Sequence, residues 1–211
     1  MFDIEGWNER QELFQLWLNV PSQYKMDAPQ VNLLGTNECP VIKGDSTETI
    51  VLAGSHGGID SGAPSVSSVG IYHVKLLESG AKWEHELPSD HYNAILYVRQ
   101  GNVKVGGSTN VDPHHTAFLK SNGSRLVVEA GGGPADFILL TGAPLNEPVA
   151  AQGSMVMNTQ SEIQTAYGDY QLGRMGLPWN EKLSDEDWRK HVRQNPSAYT
   201  YTEQSNVDSF E

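Results

Sequence analysis

Cysteine is nearly absent: of 211 residues only Cys39 carries a thiol. A single cysteine excludes an internal disulfide framework and leaves stability to core packing. Basic residues are scarce as well, 14 against 26 acidic ones for a net charge of -12, and no basic cluster is longer than Arg189-Lys190. Binding a phosphate backbone relies on clustered Lys and Arg, so the sequence argues against direct nucleic-acid binding. No apolar run approaches the roughly 20 residues that cross a bilayer. The amino terminus, MFDIEGWNER, lacks the basic and apolar segments of a secretory signal. The expected setting is therefore a reducing one, cytoplasm or nucleus, with no membrane. Internal repeats and low-complexity linkers are also missing, and the length suits one ordinary domain with extensions.

What is present is a glycine-punctuated pattern of short strands. The hydrophobic share is 38%, and 21 glycines mark many turns. Leu13 to Val20 alternates Phe14, Leu16, Leu18 and Val20 with the intervening residues, which predicts a strand with one apolar face, ended by Pro21. Short apolar runs at Pro40 to Ile42 and Thr49 to Ala53 follow, broken by Gly44, Gly54, Gly57, Gly58 and Gly62. Val69 to Leu77 places Tyr72, Val74 and Leu76 on one face. Asn93 to Arg99, the turn pair Gly101-Asn102 and Val103 to Val105 predict a tight antiparallel hairpin. Further strands are expected at Thr116 to Leu119, Arg125 to Ala130 and Phe137 to Leu140, and this spacing indicates a closed or sandwiched all-β unit. Two helices finish the pattern. One opens at the capping sequence Thr159-x-x-Glu162 and stops near Gly173; the second opens at Ser184-x-x-Asp187 and runs to about Gln194.

Several stretches are similar to one known family. Gln15 to Pro21 (QLWLNVP), Lys25-Met26 and the 93–107 strands resemble pirins. So do Leu140-x-Gly142-x-Pro144-Leu145-x-Glu147-Pro148-Val149, Met157-Asn158-Thr159 leading into Glu162-Ile163, and Asp169-Tyr170-Gln171-x-Gly173-Arg174-x-Gly176. The similarity covers about residues 13 to 176. It implies an all-β, cupin-type (jelly-roll-like) β-barrel with carboxy-terminal helices. The implied division is an extension at 1–34, a barrel at 35–158, a helical segment at 159–198 and a polar tail at 199–211.

Pirins are two cupin barrels in one chain, and the resemblance implies an iron held in the first barrel by a His-x-His pair and a later His and Glu. Those ligands precede the QLW strand, where this sequence has 14 residues and no histidine. The expectation is thus a carboxy-terminal half without the iron barrel and with no metal or other cofactor in this chain. In the second barrel, the positions of the cupin ligand motif after Gly80 read Glu86, Pro88 and Asn93. Quercetin dioxygenase activity and redox-sensitive transcriptional co-regulation, both associated with pirins, depend on that iron. The leading expectation is a non-catalytic binding or regulatory module. The alternative is part of an iron-dependent quercetin-type dioxygenase. A strand at Leu13 to Val20 without its partners implies self-association or a protein partner.

The sequence assigns no residue a catalytic, cofactor-binding or metal role, although several carry suggestive side chains. Glu84, His85, Glu86 and His91 carry suitable ligand atoms, but neighbours on a strand face opposite ways, and a solvated barrel mouth is the simpler expectation. His114 and His115 follow Asp112-Pro113 and read as surface loop. Ser55-His56 lies in a glycine-rich segment near Asp60 and reads as loop, because a triad needs geometry that adjacency does not provide. Gly131 to Gly133 lies between strands, unlike a dinucleotide fingerprint. Trp17, Trp83 and the tyrosines at 167 and 170 suit either a planar-ligand pocket or a core. Thr159 with Glu162 reads as a helix cap.

Overall fold

The computed structural model describes residues 12–28, 32, 34–35, 38–63, 65, 67–175, 186 and 190. The second predicted helix, at 184–194, lies outside the described residues apart from positions 186 and 190. In chain order the strands are β1 (Val41–Lys43), β2 (Thr47–Ala53), β3 (Ser55–His56), β4 (Ile59–Asp60), β5 (Val69–Leu76), β6 (Lys82–Glu86) and β7 (Asn93–Gln100). They continue with β8 (Val103–Val105), β9 (Thr109–Val111), β10 (Thr116–Phe118), β11 (Arg125–Ala130), β12 (Ala135–Gly142), β13 (Ala150–Gln152) and β14 (Met155–Met157), before the helix α1 (Gln160–Gln171).

Two antiparallel sheets carry the fold. One has the order β1-β2-β5-β12-β7-β10 and the other β6-β11-β8-β9, with two small ribbons, β3-β4 and β13-β14. Period-two alternation sends Tyr72, Val74 and Leu76 of β5, Leu96 and Val98 of β7, and Phe137 and Leu139 of β12 into one core. The second sheet contributes Trp83, Leu126, Val128 and Val103 to the same cluster. This is the jelly-roll expected from the sequence.

The predicted hairpin at 93–105 is not one. β7 pairs with β12 and β10, whereas β8 pairs with β11 and β9, so the Gly101-Asn102 turn carries the chain from one sheet to the other. Gly101 sits at φ +69°, and a Cβ there would lie 2.3 Å from the Pro134 carbonyl oxygen. The turn chemistry was legible, but its destination depends on pairing far along the chain.

Leu13 to Val20 likewise forms no strand. Arg99 and Tyr97, outward-facing on β7, receive Glu12 at 2.6 Å and the edge of Phe14 at 5.6 Å between ring centroids. The segment therefore starts across a sheet face instead of along an edge, where no ladder partner exists. Its far end is tied down by Glu147, which accepts from the Ser22 amide at 2.9 Å and from the Asn158 side-chain amide at 3.0 Å. Thr159 caps α1 as expected: its hydroxyl accepts from the Glu162 amide while Glu162 accepts from the Thr159 amide at 2.7 Å. The Glu147 and Met157-Asn158-Thr159 motifs thus join the leading segment, the β13-β14 ribbon and α1.

Candidate functional site

β6 aims alternate residues inward, so Trp83 and His85 enter the core while Glu84 and Glu86 face out, each paired with Arg125 of β11. His85 is 4% exposed and His91, at the entry to β7, 8%. This overturns the expectation of a solvated mouth. Both histidines stand on the core side of the sheet, and His85 belongs to a strand.

His56, expected in a loop, belongs to the β3-β4 ribbon and joins them. Its Nδ1 lies 2.9 Å from His85 Nδ1. Its ring stacks on Trp83, centroids 5.2 Å apart at 18°. Trp83 in turn donates from Nε1 to Thr49 Oγ1 at 2.8 Å. Tyr72, buried on β5, lies 4.5 Å from the His85 ring and donates to the Ser55 carbonyl at 2.8 Å. His91 is held at both nitrogens, by Thr141 Oγ1 at 2.8 Å and Ser68 Oγ at 3.0 Å. The His56 to His85 contact joins positions 29 residues apart. The only sequence signal that could have found it is inward register on β6 combined with a histidine beside a glycine turn.

Burial sets the electrostatics. Desolvation, with the neighbouring His56 and His91 adding to it, pushes His85 down to about 4. Desolvation also lowers His56, and it lowers His91 against the opposing pull of Asp90. The cluster is neutral at physiological pH.

A cupin implies a metal, and the nitrogen and oxygen donors of this cluster decide whether one fits. The facing Nδ1 atoms of His56 and His85 are engaged with each other, His91 has both nitrogens engaged by hydroxyls, and the two glutamates point outward. Among the described residues no group of three His, Cys, Asp or Glu is placed to hold a metal ion. The donor set does not fit the family's iron.

The remaining candidates separate from this cluster. His114 and His115 lie on the exposed β9-β10 loop as expected, His114 at φ +63°. Trp17 is 67% exposed and shares no pocket with the buried Trp83. Tyr167 donates to the Gln152 carbonyl at 2.9 Å, a scaffold contact, and Tyr170 is exposed. Gly131 and Gly132 line an open surface groove with Lys104, Asp112 and Glu129. Sequence reasoning missed the outward-facing network in which His73 and Arg99 both reach Asp136, at 2.9 and 2.8 Å.

Residues 72–176 match the family model for the pirin C-terminal cupin domain. The chain belongs to the pirin-like cupin family. Human pirin is 32% identical over 178 residues, 81% of this chain and 61% of the relative. A pirin-like protein of Solanum lycopersicum is 34% identical over 169 residues, 79% of this chain and 57% of the relative. A crystal structure of quercetin 2,3-dioxygenase from Acinetobacter baumannii superposes with a TM-score of 0.71 at 29% identity, covering 76% of this chain and 55% of that one. This pirin-like chain thus spans about three-fifths of the length of the curated relatives it matches.

Proposed function

We propose that this pirin-like cupin is a binding or regulatory module and not itself an oxygen-activating centre. The observation that carries the reading is the donor set of the interior: three neutral histidines, one saturated by hydroxyls, and, among the described residues, no group of three His, Cys, Asp or Glu placed to hold a metal ion. Iron in an oxygenase site needs at least three protein donors with open positions. What the interior holds instead is a packed cluster of aromatic and imidazole rings, Tyr72, Trp83, His56 and His85. The test is metal analysis and flavonol consumption with the purified chain. Iron far below one per chain and no quercetin turnover above a protein-free control are expected. Stoichiometric iron accompanied by turnover overturns the reading.

The resemblance to a named quercetin 2,3-dioxygenase supports a second reading, in which this barrel is the non-metal half of such an enzyme. Adding a separately produced iron-bearing pirin barrel would then yield turnover that neither part shows alone.

The module reading includes a protein contact. Leu13 is 88% and Trp17 67% exposed, with Leu18 half-exposed beside them, an apolar row on a soluble surface. Because the segment makes no ladder, side chains and not strand pairing would drive association with a second copy or a separate partner. Sedimentation velocity is expected to show concentration-dependent association that Leu13→Ser/Trp17→Ser abolishes. A clean monomer at all concentrations removes the self-association role.

A further inference from the structure

Among the described residues a few buried polar atoms have no hydrogen bond, and one of them lies in this ring cluster. His85 Nε2 is buried and makes no hydrogen bond, although the other ring nitrogen is bound to His56. Counting protons fixes what that atom is. Two neutral imidazoles carry two protons on four nitrogens. The 2.9 Å contact between the Nδ1 atoms requires one N–H and one lone pair. One ring is therefore bare at Nε2, and the other is protonated there. A buried N–H without an acceptor is the rarer and costlier orphan. The bare Nε2 thus belongs to buried His85, which donates Nδ1–H to His56, and half-buried His56 carries the Nε2–H.

His56 itself is delivered by a slight device. The β3-β4 ribbon has two pairs, Ser55 with Asp60 and His56 with Ile59. Its turn is Gly57-Gly58, both at positive φ with open space around them. At its base Gly54 sits at φ +78°, where a Cβ would meet the Val69 carbonyl oxygen at 2.5 Å. The base of the flap is anchored by Gly54, by the Tyr72 hydroxyl on the Ser55 carbonyl and by the Ser61 amide on the Gly54 carbonyl, each bond 2.8 Å, while the glycine turn itself has open space around it. At its tip a flat imidazole rests on Trp83, against Tyr72, and accepts from His85.

We propose that the seat occupied by the His56 ring is a binding site for small, flat, neutral azoles, which enter as the β3-β4 flap lifts and take the same stack on Trp83 and the same hydrogen bond from His85. The site recognises a five-membered nitrogen heteroaromatic because it already holds one. The flap competes with the ligand, so affinity is set by the difference between the free and the tethered ring. This inference deepens the binding-module reading and rests on it.

The experiment uses the full chain, stripped of metal by chelation, with imidazole as probe at mildly alkaline pH where imidazole is neutral. His56→Ala vacates the seat. Calorimetry is expected to show imidazole binding about tenfold or more tighter to that variant than to the wild type, since no competing state remains. Thiophene, of similar shape but without a ring nitrogen, is expected to bind about fivefold or more weaker than imidazole, the measure of one hydrogen bond. Equal affinity of variant and wild type, or of the two rings, overturns the proposal. Should His56→Ala not melt cooperatively, the wild type decides. With ring-¹⁵N histidine, imidazole must shift the His56 and His85 signals together and saturably while His73 and His114 stay fixed, and uniform shifts or none overturn it. Failure here in a protein that is iron-free and inactive on quercetin leaves the module reading standing. Iron with turnover removes that reading whatever imidazole does.

Discussion

Replacing Phe137 by alanine lowers the unfolding free energy by about 3–5 kcal/mol. Phe137 is fully buried in the middle of β12, the strand that pairs with β5 on one side and β7 on the other. Its ring meets Trp83 of the opposite sheet edge-on at 5.5 Å, so it spans the gap between the two layers. Truncation removes that contact and leaves a cavity between sheets whose backbones are fixed by ladders and cannot collapse. Against a total stability of about 5–15 kcal/mol for a domain, the loss brings the fold near its threshold. Urea unfolding followed by circular dichroism measures it. A loss below about 1 kcal/mol would mean that the layers do not close at this point.

Acid is expected to destabilise the protein through His85. Its folded pKa of about 4 lies below the ordinary 6.5, so between those values the unfolded chain binds a proton that the folded chain refuses. Stability is therefore full above pH 6.5, falls as pH drops through the window, and loses no more to this group below 4. The slope reaches up to about 1.4 kcal/mol per pH unit for one proton. The groups that face His85 are His56 from β3, Tyr72 from β5 and His91 from the start of β7. None supplies a negative charge, and Asp90 acts on His91. His56 and His91, also lowered, add to the slope. Urea midpoints across the window should show it, and His85→Phe should flatten it markedly while keeping a folded protein. An unchanged slope in that variant assigns the acid sensitivity elsewhere.

Strand positions and helix caps were legible because they are local. β11 runs over the predicted Arg125 to Ala130, the inward face of β5 carries the predicted Tyr72, Val74 and Leu76, and Thr159 and Glu162 close the predicted capping box. The errors are all non-local. Gly101-Asn102 has the residues of a turn whether the chain returns along the same sheet or crosses to the other. Leu13 to Val20 alternates like a strand, but alternation describes amphipathicity and says nothing about a ladder partner. His85 is expected at a solvated mouth because alternation allows it either face, and the choice of the inward one depends on the pairing of β6 with β11, about 40 residues later. His56 reads as loop, since its ring is placed by a contact with a residue 29 positions later.

The pairing order also constrains how the polypeptide is made. β12, residues 135–142, is the shared neighbour of β5 and β7, so during translation these two apolar strands wait unbridged until synthesis has passed residue 142. At about 5–20 residues per second the interval from the end of β7 lasts seconds. For that time the nascent chain offers two open strand edges to holdase chaperones or to neighbouring ribosomes' products, so changes in β12 bear on expression yield as well as on equilibrium stability.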